Sequence, residues 1–162
     1  MDTKDTIISD FAKLWLAHDG LWFQAVENEY GIEAAIKLDG VAWGQFSPIE
    51  ARRILERLGK QPGGGLDLLE EALGQRLYAF VNRQRIVERT EQKLVFEMNS
   101  CRVQDARQRR QLEPFPCKEV GIIEYSTFAR TIDPRIQTRC LHCPPDLKTG
   151  DFWCRWEFIL PG

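Results

Sequence analysis

The chain has 162 residues, 43% hydrophobic, 28% charged and 10% aromatic. These are values of a chain that folds around its own core, and they exclude disorder, collagen-like repeats and low complexity. Lys and Arg number 22 against 24 Asp and Glu, a net charge of -2, which weighs against a dedicated nucleic-acid binder. No apolar run reaches the roughly 18 residues that a membrane helix needs. The start, Met1-Asp2-Thr3-Lys4-Asp5, lacks the basic and apolar regions of a signal peptide, so the expected compartment is the cytoplasm.

The first half, residues 1–83, carries helical periodicity. From Ile8, the residues Phe11, Trp15, Trp22 and Val26 recur with a helical period and mark one expected face. Gly31 stops that helix, and residues 32–43 form a second one, weakened by Gly40. Ser47-Pro48-Ile49-Glu50 has the form of a new helix start, with a serine cap, a first-turn proline and a glutamate three residues on. That helix ends near Leu58-Gly59. After the flexible stretch Gln61-Pro62-Gly63-Gly64-Gly65, a longer helix is expected from Leu66 to Arg83.

The second half, residues 84–162, changes period. Two strands are expected at Gln84–Arg89 and Lys93–Ser100, with Leu94, Phe96 and Met98 on one face of the second. Residues 102–111 are polar and basic and form a short helix. Glu113-Pro114-Phe115-Pro116-Cys117 is an extended turn, because two prolines exclude regular helix. Gly121–Ile132 is a helix with Tyr125, Phe128, Ala129 and Ile132 on one face. Arg135–Leu141 and Phe152–Leu160 are the last two strands. The order predicts an α+β fold in a single domain, residues 1–162. N-terminal helices pack on a C-terminal antiparallel sheet of order strand-strand-helix-strand-strand.

Four of the five cysteines, Cys117, Cys140, Cys143 and Cys154, fall in this half's last segment. Cys140-Leu141-His142-Cys143 is a CxxC turn, which brings two sulfurs round one centre. Cys154 is the nearest third ligand for zinc, and Cys117 or Cys101 the fourth. Packed core thiols are the competing reading, since Cys154 shares a strand face with Phe152, Trp156 and Phe158. Redox chemistry ranks behind both, because Pro144-Pro145 offers no helix to activate a thiolate.

His18-Asp19-Gly20 interrupts the aromatic first helix, with His18 on the expected apolar face and Asp19 at its edge. A hydrogen-bonded core histidine competes there with an aromatic-walled pocket that includes Trp22. Arg102, Arg107, Arg109, Arg110 and Lys118 surround only Asp105 and Glu113. They form either a solvated face or a pocket for a small anionic ligand, in which Arg102 and Arg107 fork onto a carboxylate or phosphate. No phosphate loop, dinucleotide fingerprint, zincin helix or nucleophile elbow is present.

The segments Trp15–Phe23, Cys101–Arg107, Phe115–Lys118, Ile132–Arg135, Arg139–Asp146 and Trp153–Phe158 resemble a family of small prokaryotic cytosolic proteins that has no assigned activity. The run Gly150-Asp-Phe-Trp-Cys-Arg-Trp-Glu-Phe158 more distantly resembles L-2-amino-thiazoline-4-carboxylate hydrolases and vinyl-reductase-type small-molecule-binding domains.

Three functions follow. The first is a small-molecule-binding or sensor-like domain with a zinc site at Cys117, Cys140, Cys143 and Cys154, and with His18, Asp19, Trp22, Arg102 and Arg107 around the ligand. The second is a hydrolase of a small cyclic amide or amidine, using a cysteine or a metal-bound water. The third is an interaction module, with the five Trp and nine Phe supplying a homodimer surface. No nucleic-acid or membrane partner is expected.

Overall fold

The computed structural model describes residues 3–162; Met1 and Asp2 of the charged start lie outside the described residues. It is a mixed α+β fold, with long helices first and a four-stranded antiparallel sheet towards the C-terminus. Two long helices open the chain, α1 (Thr3–Tyr30) and α2 (Ile32–Leu58), joined by Gly31 alone. The helix α3 (Gly65–Leu73) and a single 3-10 turn (Leu77–Phe80) lead into β1 (Arg83–Arg89) and β2 (Lys93–Ser100). Then come α4 (Arg102–Arg109), α5 (Lys118–Ile132), β3 (Gln137–His142) and β4 (Cys154–Ile159). The sheet order is β1-β2-β4-β3, with Phe96 opposite Trp156 and Met98 opposite Cys154. Among the described residues no helix is long and apolar enough to cross a membrane.

The core lies between this sheet and α5, with α3 and the C-terminal half of α2 closing it. Leu94, Phe96, Met98, Trp156 and Phe158 from the strands meet Tyr125, Phe128, Ala129 and Ile132 from α5. The alternation expected in β2 holds on this side. Glu97, on the opposite side, is also buried, because Arg85 and Arg155 clasp its two oxygens at 2.8 and 2.5 Å. A second, aromatic cluster joins α1 to the rest of the fold. Trp15 stacks on Phe46, Trp43 stacks on Tyr78, and Phe23 meets Phe115 edge-on.

Five expectations about the helices need correction. The segment 32–58 is one helix rather than two, with Pro48 inside it. Proline forfeits the bond to the carbonyl four residues back, but both halves of α2 are held by packing, Trp43 and Phe46 on one side of Pro48 and Ala51, Ile54 and Leu55 on the other. Glu50 does not close a capping box; it reaches across to the 3-10 turn, accepting from Arg76 Nε at 2.8 Å and from Leu77 N at 3.1 Å. Gly40 is no weak point either. A Cβ there would lie 3.2 Å from Ile123, and one at Gly44 3.4 Å from it, so these glycines let α2 lie close on α5.

The helix expected over Leu66–Arg83 stops at Leu73. Beyond it Arg76 turns into the core between two carboxylates, which a continuing helix would not permit. On α1 the packed stripe runs through Ala12, Trp15, Leu16 and Phe23, whereas Phe11 is 65% and Trp22 64% exposed. Apolar residues lie around most of this helix, so periodicity alone did not single out the side that α2 covers.

Candidate functional site

A cavity of about 380 Å³ opens where α1, α2, α4, α5 and the ends of β2 and β4 converge. Its walls are mainly aromatic and aliphatic, with Leu16, Phe23, Trp43, Tyr78, Phe115 and Trp156 among them. Such an apolar cleft with a few polar groups is the usual form of a small-molecule site.

Three carboxyl groups reach it from three helices, Asp19 from α1, Asp39 from α2 and Glu124 from α5. Burial pushes Asp39 up to about 7, helped by repulsion from Asp19 and Glu124 and opposed by a hydrogen bond from Trp43. Burial also raises Glu124 to about 7, against the pull of Arg76. Asp19 is raised too, again first by burial. Arg76, buried behind Glu124, is the cation that pairs with it. Its Nη2 stands 2.7 Å from Glu124 Oε1, its Nε pairs with Glu50, and its guanidinium lies 4.7 Å from the Phe128 ring centroid. The basic side chains sit towards solvent. Lys13, Arg102, Arg109 and Arg110 line the opening and are exposed. Arg107, half-buried, is held by Glu27 at 3.1 Å and by the Glu113 carbonyl at 2.7 Å.

The thiols form the other end. Cys101, Cys117, Cys143 and Cys154 all line the cavity. The Sγ atoms of Cys117 and Cys143 are 3.4 Å apart. The neighbouring thiols of Cys117, Cys140 and Cys154, together with burial, push the Cys143 thiol far up. Cys140 is lowered, chiefly because it accepts from Cys143, with Lys118 adding to the effect. Burial raises Cys101. All five cysteines are free. The loop that presents them is pinned by Asp146, which accepts from the Cys143 amide at 3.2 Å and from Lys118 at 2.5 Å. The Lys118 amide in turn donates to the Pro144 carbonyl at 3.0 Å. Among the described residues no group of three or more His, Cys, Asp and Glu side chains is arranged as a ready metal-binding set.

The residues expected around a ligand therefore divide. Asp19, Arg102 and Arg107 line the cavity. His18 is exposed on α1, and Trp22 on the same helix points away from the lining. His142 lies outside the lining as well, with its ring edge-on to Phe152 at 5.2 Å and its Nε2 buried without a partner.

Sequence reasoning missed Asp39, Tyr78 and Glu124. Glu124 carried a signal, since it falls on the same face of α5 as Val120 and Phe128, where a lone carboxylate among apolar residues asks for a partner. Asp39 carried none, because it became internal only through the close approach of α2 to α5.

No curated protein matches this chain, and no solved structure does. A family of unknown function, DUF6125, matches residues 2–160. That match covers nearly the whole sequence, cavity and thiols included, and the chain belongs to this family.

Proposed function

We propose that this protein is a small-molecule-binding or sensor-like domain whose cavity is braced by a structural zinc ion on Cys117, Cys140, Cys143 and Cys154. The observation that carries the reading is the 3.4 Å contact of Cys117 with Cys143, whose thiol Cys140 and Cys154 also influence, at the wall of a 380 Å³ aromatic cavity. With Zn–S bonds of about 2.3 Å, the edge of a tetrahedral thiolate site is about 3.8 Å. The 3.4 Å between Cys117 and Cys143 is close to that edge, so small side-chain adjustments fit the ion. Bound there, zinc supplies folding energy and fixes the loop that forms one end of the cavity. Four thiolates leave no open position on the ion, which favours binding over hydrolysis. The resemblance of the last strand to vinyl-reductase-type binding domains agrees with this reading. So do five free cysteines, available as thiolate ligands.

A thermal-shift screen of the zinc-loaded chain against small aromatic compounds tests the cavity. Compounds that stabilise the wild type lose their effect on Leu16→Trp, which fills the space. Binders that act equally on both proteins, or none at all, would refute it.

A hydrolase of a small cyclic amide or amidine is the second reading. It is favoured by Asp19 lining the same cavity as Cys101, Cys117, Cys143 and Cys154. Release of ring-opened product from such a compound, lost in Asp19→Asn, would put it first.

A further inference from the structure

The cavity's charge is distributed unevenly. Its exposed rim is basic, and its interior is acidic. Among the described residues Glu124 is the one of the three interior carboxyls paired with an arginine, Arg76, which it shares with Glu50, while Asp19 has only its chain neighbour His18 to offset its charge. Asp19 and Asp39 form no ion pair with Lys or Arg among the described residues. The Trp43 indole N–H is spent on Asp39. Trp156, wholly buried in the same lining, leaves its Nε1 without a partner. A buried donor left unmatched is costly, and in this wall an ordered water beside the guest is the group that accepts from it.

We propose that the cavity takes a small aromatic primary amine, with its ammonium between Asp19 and Asp39 and its ring against Trp43, Tyr78 and Trp156. This rests on the reading of the cavity as a binding site. An ammonium is the group that satisfies two unpaired carboxylates at once, because it carries three donors and no acceptor. The aromatic walls add to this, since ring faces attract a desolvated cation. The raised position of Asp39 agrees: holding negative charge there without a counter-ion is unfavourable, and a cation relieves the repulsion from Asp19 and Glu124. The arginines do not compete for these carboxylates, because Arg102, Arg109 and Arg110 are exposed and Arg107 is engaged by Glu27.

The test compares three compounds that share one ring and one chain length: 2-phenylethylamine, 2-phenylethanol and phenylacetate. Each is titrated calorimetrically into the purified 162-residue chain and into Asp39→Asn. The amine binds the wild type at least about tenfold more tightly than the alcohol or the acid. In Asp39→Asn that preference over the alcohol falls to near parity. Tighter binding of the alcohol or the acid to the wild type would overturn the amine assignment while leaving the cavity as a binding site. No binding of any of the three would overturn both. The wild-type comparison decides by itself if the variant does not fold.

Discussion

A Cβ added to Gly121 would lie 2.7 Å from Cζ2 of Trp156 and 2.9 Å from its Cη2. The helix α5 therefore rests directly on the indole of β4, at the point where both line the cavity. Trp156 cannot yield, since it is wholly buried and stacked on Tyr125 with ring centroids 4.7 Å apart. Gly121→Ala is expected to lower stability by about 1–3 kcal/mol by overpacking, despite the helix preference for alanine. Urea unfolding measures it, and an unchanged or raised midpoint would mean that α5 does not sit this close.

Arg76 holds two carboxylates that would otherwise be buried together. Its side chain is 2% exposed, with Glu50 at 8% and Glu124 at 9%. Arg76→Met is expected to cost about 3–5 kcal/mol, because it strands like charges in the core. Adding Glu50→Gln and Glu124→Gln to that variant restores much of the loss. Denaturant midpoints of the single and triple variants check this, and a triple variant weaker than the single one would contradict the charge argument.

Asp39 and Asp133 push stability in opposite directions with pH. Asp39 sits at about 7, above its ordinary 3.8, so the folded state binds the proton more tightly. Its contribution weakens the fold as pH rises from about 4 to about 7. Asp133 sits at about 2, chiefly through its hydrogen bond from Arg135. It also accepts from the Gly65 amide at 3.0 Å, tying the glycine loop to the end of α5. Its stabilisation is full above about 4 and is lost as pH falls towards 2. Asp39→Asn should therefore gain on the wild type between pH 5 and 7.5. Asp133→Asn should cost about 2 kcal/mol at pH 7 and progressively less below pH 4. Thermal melts across pH provide the comparison, and a difference that does not vary with pH would contradict either assignment.

Much of the second half was legible because its signals are local. Alternation placed β2 over Lys93–Ser100, and the prolines around Phe115 left only an extended path between α4 and α5. The first half was harder for a physical reason. In α1, Phe11 and Trp22 carry as much apolar area as Trp15 and Phe23, and only the position of α2 decides which pair is covered. Pro48 and Gly40 resemble helix breaks, yet tertiary packing overrides both. At the site, the sequence singled out Cys143, which lies 3.4 Å from Cys117, and Asp19, which lines the cavity. Glu124 was legible from its place between Val120 and Phe128 on the buried face of α5, whereas Asp39 completes that interior only through the packing of α2 on α5, which no spacing along the chain encodes.

The zinc content of the purified chain tests the account most directly, measured by mass spectrometry on the wild type, Cys143→Ser and Cys101→Ser. Cys143 lies 3.4 Å from Cys117 and its thiol is also raised by Cys140 and Cys154, while Cys101 lines the cavity outside that group. The account predicts about one zinc per chain in the wild type and in Cys101→Ser, and a large loss in Cys143→Ser. No zinc in the wild type, or equal zinc in all three proteins, would contradict a structural ion at these cysteines.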